Sequence, residues 1–269
     1  VLSQVEGAGG SATNTANAAE FKNELANVSP ISSLGAVGND VINGGAGNDI
    51  IYGDSVNTDV LGTVKGLGLP AGSGWNVFET LESGAGWTRA DTQSYIRTHQ
   101  DELAVESTGS GGTKRAGGND TIDAGAGNDT VYGQEGNDII IGGAGNDILS
   151  GGSGADTFKW NNADKGSGAS PAMDTVKDFS VATAADNKDV LDLRDLVQGE
   201  NAGNLSSYLS FAQTGSDVTL SVQSAGAAGP MDQKIVLQGI TMAQLAGSHP
   251  ADSGGVIANL LANNKLMTD

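Results

Sequence analysis

The chain has 269 residues with 42 Gly, no Cys, and 13 Lys plus Arg against 32 Asp plus Glu, a formal net charge of −19. That length holds one or two domains. The charge disfavours nucleic acid or an anionic membrane as the main partner and favours a cation. The absence of Cys excludes thiol nucleophiles, thiolate metal sites and disulfides. No apolar run reaches the ~18 residues of a bilayer span, so membrane insertion is not expected.

The N-terminal "VLSQVEGAGG" lacks a basic region, an apolar stretch and an initiator Met, and reads as part of a longer chain. In "NTANAAEFKNELANVSP", Ala18, Phe21, Leu25 and Val28 recur at helical steps until Pro30 blocks continuation. Residues 1–34 are therefore read as a helical linker.

A nine-residue repeat follows. Its copies are "GAVGNDVIN" (35–43), "GGAGNDIIY" (44–52), "RAGGNDTID" (115–123), "AGAGNDTVY" (124–132), "GQEGNDIII" (133–141), "GGAGNDILS" (142–150) and "GGSGADTFK" (151–159). The break at 53–114 is too long for a plain loop. It contains "GWNVFETLES" and "RADTQSYIRTHQDELA", which predict amphipathic helices hanging off the array. Tyr95, Ile96, His99 and Leu103 share one side of the second helix, and Trp75, Phe78, Leu81 and Trp87 form a small satellite core.

Beyond residue 160 the apolar period changes to two. Strands are predicted at 174–179, 189–193, 208–213, 217–223 and 233–240, with a hairpin at Thr214-Gly215-Ser216 and a final helix over 256–267. Residues 35–160 are thus a repeat array with an insertion, and 161–269 a β-rich cap.

The eighth position of each repeat is apolar: Ile42, Ile51, Ile122, Val131, Ile140, Leu149 and Phe158. One such residue with polar neighbours is a three-residue strand pointing one side chain inward. The six residues before it form a turn, where Gly permits positive φ and lets carbonyls approach an ion. The charged ligands of that turn are Asp40, Asp49, Asp120, Asp129, Asp138, Asp147 and Asp156. The backbone at Gly45, Gly47, Gly118, Gly125, Gly127, Gly136, Gly143, Gly145, Gly152 and Gly154 completes the candidate metal positions. Two repeats make one coil, so turns of repeats n and n+2 stack. That pairs 40 with 120, 49 with 129, 120 with 138, 129 with 147 and 138 with 156, or about five ions. Asp129 then has partners on both sides, whereas Asp156 has only Asp138 or a further group such as Asp178.

Ligation by carboxylate and carbonyl oxygen alone suits Ca²⁺; Mg²⁺ demands more water and stricter geometry, and softer metals lack their ligands. One inward apolar side chain per nine residues is too little burial to order the other eight, so the ion is required for folding. The fold class expected is all-β, a Ca²⁺-bound parallel β-roll interrupted by a helical insertion and followed by a β-rich cap. Asp174 and Asp178 are candidates for one more cap ion; Asp189, Asp192 and Asp195 form a polar cluster suited to turns or to capping the roll.

These repeats resemble the RTX (repeats-in-toxin) proteins of bacteria, and "GADTFKW", "DTVKDFS" and "DVLDLRDL" resemble the segment closing their roll. The stretch from "GDSVNTD" through "SYIRTHQDEL" and the repeats is similar to the C-terminal ends of large biofilm adhesins. That resemblance implies a secreted or cell-surface protein that uses a type I secretion channel, with an uncleaved C-terminal export signal. A monomer is expected. An ice-binding branch of the family carries Thr at position three. Here that row is Val37, Ala46, Gly117, Ala126, Glu135, Ala144 and Ser153, which argues against it.

RTX repeats also follow proteases, lipases and epimerases, so the alternative is the C-terminal region of an exoenzyme. Neither His-Glu-x-x-His nor Gly-x-Ser-x-Gly occurs, and His99 and His249 are isolated, so no catalytic residue is assigned. Tandem β-sandwich repeats upstream of Val1 favour the adhesin reading, and a catalytic domain there favours the enzyme. A glycan or peptide site at Trp75 and Trp87 is a third reading, set against their use as core.

Overall fold

The computed structural model describes residues 2–3, 38–105, 117–201 and 203–268. The helix expected within 1–34 lies outside them. Two sheets face each other. One runs β1 (Leu2–Ser3), β3 (Ile50–Tyr52), β5 (Thr130–Glu135), β7 (Ile148–Ser153), β9 (Ala172–Val176), β13 (Gln233–Leu237), β12 (Asp217–Val222), β11 (Leu209–Thr214). The other runs β14 (Leu266–Met267), β10 (Val190–Asp192), β8 (Thr157–Lys159), β6 (Ile139–Ile141), β4 (Thr121–Asp123), β2 (Val41–Asn43).

The repeat sets this alternation. Each strand is three residues long before the next turn, so successive repeats feed opposite sheets and n pairs with n+2 in parallel. Ile42 stands against Ile122, Ile122 against Ile140, and Ile140 against Phe158. In the facing sheet Ile51 stands against Val131 and Val131 against Leu149. These position-eight side chains are buried in a single core that continues through Val176, Leu191, Leu237 and Leu266. The cap extends both sheets: β9 adds to β7, and β10 adds to β8 with Leu191 against Phe158. The expected hairpin is β11–β12, antiparallel, turning at Gly215 with φ +63°. The last helix is shorter than its pattern suggests: α6 spans Ser253–Ala262 and the chain then forms β14. Helix α5 (Met242–Ala246), opened by a Thr241–Gln244 capping box, was not expected.

The insertion is helical: α1 (Asp59–Val64), α2 (Asn76–Ser83), α3 (Arg89–Thr98) and α4 (Gln100–Ala104). The pattern at 89–104 reads as one helix but breaks at His99, whose ring stacks on Tyr95 at 3.8 Å with Nδ1 3.0 Å from the Tyr95 carbonyl. The satellite core exists and is larger than expected. Phe78, Val77, Ile96, Leu61 and Leu103 are buried, with Trp75, Leu81 and Trp87 half-buried around them. It does not hang free, because Tyr52 and Tyr132 of the first sheet belong to it, stacked at 5.3 Å. The Tyr132 hydroxyl donates to Asp101 at 2.6 Å, and Lys177 pairs with the same carboxylate. Both Trp rings of the insertion carry a cation, Lys65 over Trp87 and Arg89 over Trp75.

Candidate metal centre

The turns stack in the predicted register, and carboxylates join them. The Asp40 amide donates to Asp120 Oδ1 at 2.8 Å, Asp120 to Asp138 at 2.8 Å, and Asp138 to Asp156 at 2.9 Å. On the other edge Asp49 donates to Asp129 at 2.7 Å and Asp129 to Asp147 at 2.9 Å. All five expected pairs are adjacent. Each ladder then runs one step further, from Asp147 to Asp174 at 2.9 Å and from Asp156 to Asp189 at 3.1 Å. Asp156 therefore has partners on both sides, and the second is Asp189, not Asp178. The Asp178 carboxylate instead accepts from the Gly151 and Gly152 amides and the Ser150 hydroxyl. Asp192 pairs with Arg194 and Asp195 accepts from the Asn162 amide, so the three cap aspartates do not form one cluster.

Sequence reasoning missed a second ladder. Asn39 Oδ1 accepts from the Asn119 amide, Asn119 from Asn137, and Asn137 from Ala155; Asn48, Asn128 and Asn146 do the same toward Met173. Asn at position five was the available signal. It runs in the opposite sense to the Asp ladder, so adjacent turns are tied in both directions.

The glycines serve contact as well as conformation. Gly127 has φ +145°, and a Cβ there would lie 1.8 Å from the Gly47 carbonyl oxygen. Gly118 is needed for approach alone: its φ is not positive, yet a Cβ would lie 2.0 Å from the Gly38 carbonyl. Gly45, Gly125, Gly136, Gly143, Gly145, Gly152 and Gly154 occupy corresponding places in the other turns.

The insertion enters inside one turn. The Gly53 amide donates to the Tyr132 carbonyl, as position-one Gly44 does to Asp123 and Ala124 to Ile141. The chain then leaves after Asp54, and the turn resumes at Gly117. The first two positions of the third turn are therefore filled by Gly53 and Asp54; Arg115 and Ala116, expected there, lie outside the described residues. In regular turns the position-three amide donates to a position-two carbonyl (Ala126 to Gly45, Ala144 to Gly125), and the position-four amide to a position-three carbonyl. At the splice both bonds go to one side chain: Gly118 donates to Asp54 Oδ1 and Glu135 to Asp54 Oδ2, each at 3.0 Å.

The ladder aspartates are buried, at 3 % exposure or less. One oxygen each of Asp120, Asp129, Asp138, Asp147 and Asp156 accepts the ladder bond. The second oxygens of Asp120, Asp129, Asp138, Asp147 and Asp156, and both of Asp40, have no hydrogen-bond partner. Buried polar atoms are rarely left so. Burial first, and neighbouring carboxylates second, push the carboxyls of Asp120, Asp147 and Asp156 up to about 7 and Asp138 to about 9. Asp129 is also raised by burial. Such a row of hard, buried oxygens fits a hard divalent cation. Among the described residues no three Asp, Glu, His or Cys side chains converge as a metal cluster. A shell built here would combine carboxylates with backbone carbonyls, which is how Ca²⁺ sites are commonly built.

The ladder ends differ. Asp174 Oδ2 accepts from Trp160 Nε1 at 2.7 Å and Gln233 Nε2 at 2.8 Å. Asp189 Oδ2 accepts from the Ser180 amide at 2.7 Å, and the buried Lys265 ammonium lies 2.8 Å from the Ser180 carbonyl and 3.5 Å from that of Asp189. The terminal carboxylates are satisfied by the protein, and the cap ion expected at Asp174 and Asp178 has no unpartnered oxygen on either.

The family profile described as RTX calcium-binding nonapeptide repeat (4 copies) matches residues 34–58, 116–149 and 127–158. The repeats of this chain are RTX calcium-binding repeats. Two solved structures are similar to part of it, both subunits of the Azotobacter vinelandii mannuronan C5-epimerase. The AlgE6R3 subunit is 33% identical over 44% of this chain and 65% of its own, with a TM-score of 0.34. The AlgE6R2 subunit is 27% identical over 55% of this chain and 80% of its own, with a TM-score of 0.37. This chain thus spans a little under two thirds of the first. No curated protein matches the chain.

Proposed function

We propose that this chain is a calcium-dependent folding module at the C-terminal end of a secreted bacterial adhesin, without catalysis of its own. The observation that carries the calcium part is the run of buried, unpartnered ladder oxygens. Without cations these carboxylates repel, and Gly-rich turns gain little from packing, so the repeats stay extended in the low calcium of a cytoplasm. Outside the cell, calcium at about five stacked pairs folds them. The adhesin assignment is supported by the resemblance of "GDSVNTD" through "SYIRTHQDEL" to adhesin ends. Export passes through a type I channel, with the signal in residues 200–269, and the product works at the cell surface as a monomer.

Excess chelator should abolish the β signal of the repeats in circular dichroism, and millimolar Ca²⁺ should restore it; an unchanged spectrum defeats the reading. For export, deleting residues 205–269 should retain the chain inside a host carrying the cognate transporter, whereas deleting 56–112 should not. Full export of the first deletion sinks the secretory half.

A further inference from the structure

We infer that the spliced turn is a divalent-cation clasp in which Asp54, a residue outside the repeat's aspartate row, is a ligand that ties both ends of the helical insertion to the roll. The inference rests on the calcium reading above and adds to it a site and a residue that the nonapeptide pattern does not contain.

Three observations converge on this turn. First, Asp54 is 1 % exposed, and its carboxylate sits between two stacked turns, where position-two and position-three carbonyls stand elsewhere. Oxygens that a regular turn takes from the backbone are replaced here by oxygens carrying a full charge. Second, an unpartnered oxygen points at the splice. Asp120 is 1 % exposed, its Oδ2 has no hydrogen-bond partner, and that atom lies 2.5 Å from where a Cβ on Gly53 would be. The same relation holds within intact turns, with Asp138 Oδ2 at 2.3 Å from a Cβ on Gly133 and Asp156 Oδ2 at 2.2 Å from one on Gly151. Gly53 therefore completes the pocket that Gly133 and Gly151 complete in their own turns. Third, Asp40, whose amide donates to Asp120 Oδ1, has both carboxylate oxygens buried without hydrogen-bond partners, so the unpartnered row continues past the splice.

A hard divalent cation with Asp54 and Asp120 as carboxylate ligands, completed by turn carbonyls, satisfies those oxygens and agrees with the absence of a three-carboxylate cluster. Such an ion holds residue 54, where the chain departs, against residues 117–120, where it returns. The insertion then docks only when the roll is loaded.

The test is calorimetric titration of the full chain with Ca²⁺, comparing the native protein with Asp54→Asn, which keeps one acceptor oxygen and removes the charge. One fewer ion bound per chain, or a loss of at least tenfold in affinity at one site with the others unchanged, supports the proposal. An unchanged count and affinity, with or without lower thermal stability, overturns it and leaves Asp54 as a hydrogen-bonding splice alone. If the native chain itself binds no Ca²⁺, the calcium reading fails before Asp54 is in question. If Asp54→Asn does not fold, an anomalous-scattering map of the native chain crystallised with Ca²⁺ decides. A peak about 2.3–2.6 Å from the Asp54 carboxylate supports the clasp, and peaks only elsewhere overturn it.

Discussion

Replacing Asp129 by Asn and by Ala separates the two jobs of a ladder carboxylate. Asp129 Oδ1 accepts from the Asp49 amide at 2.7 Å, its own amide donates to Asp147, and Oδ2 is unpartnered. Asn keeps the first bond and removes the charge; Ala removes both. At a free Ca²⁺ of about ten times Kd, one site contributes about 1.4 kcal/mol of stability. If folding is linked to about five ions, losing one leaves about four to supply the same total, and the folding midpoint rises about twofold. Ala also strands the buried Asp49 amide at a cost of ~1–3 kcal/mol, which raises the midpoint by a further factor of about 1.5 to 4. Calcium titrations followed by far-ultraviolet circular dichroism should rank native, Asn and Ala in that order. An Asn variant with the native midpoint would refute the reasoning, because the charge would then hold no ion. Asp156→Ala should match Asp129→Ala, since Asp189 stands beyond Asp156 as Asp147 does beyond Asp129.

Gly127→Ala should prevent calcium-induced folding of the roll, because its Cβ meets a backbone carbonyl at 1.8 Å, whereas Gly66→Ala, open to solvent at φ +63°, should lower the melting temperature only slightly. The carboxyls of Asp120, Asp147 and Asp156, raised to about 7, give two opposite pH effects. In chelator the folded roll binds more protons than the unfolded chain, so residual structure should increase as pH falls from about 7 toward 4; in calcium the same protons compete with the ion, so the midpoint concentration should rise over that range. Lys265→Met should destabilise the cap, with earlier thermal unfolding in chelator as well as in calcium, since it removes a buried ammonium from the Ser180 carbonyl and the neighbourhood of Asp189.

The repeats were legible because a period of nine fixes every contact in them. Strand length, register and the pairing of Asp40 with Asp120 across the insertion all follow from the frame. The frame was less informative where it breaks. "RAGGNDTID" looks like a whole repeat, yet Gly53 and Asp54 supply its first two positions, a fact that only the spatial stacking with Gly133 and Gln134 reveals. The docking of the insertion was invisible for a similar reason. Tyr52 and Tyr132 occupy position nine, where Asn43, Asp123 and Ser150 face outward, and nothing in the local pattern marks them as the floor of a second core. The break at His99 was hidden because the apolar spacing continues through it to Leu103.

The two ends of the ladders give the roll a direction. Inside the repeats Asp120, Asp129, Asp138, Asp147 and Asp156 each leave one buried oxygen without a hydrogen-bond donor, so those turns are incomplete without a cation. At Asp174 Oδ2 the donors are Trp160 and Gln233, and at Asp189 Oδ2 the donor is the Ser180 amide, with the Lys265 ammonium held nearby on the Ser180 carbonyl. Apart from Trp160 these donors come from the cap, where β11–β13 and α6 contribute to the shared core. The cap is thus the part whose ladder carboxylates, Asp174 and Asp189, have protein donors, and it presents the edges of β9 and β10 to the last repeats. A parallel strand pair with a satisfied carboxylate at its end lowers the cost of ordering the next turn, because register and one ladder bond are already fixed. Calcium then has to stabilise one added coil at a time, not nucleate the whole roll. On this argument the order of folding runs from residue 189 back toward residue 40, opposite to the order of the sequence, and the spliced turn with Asp54 is among the last to close.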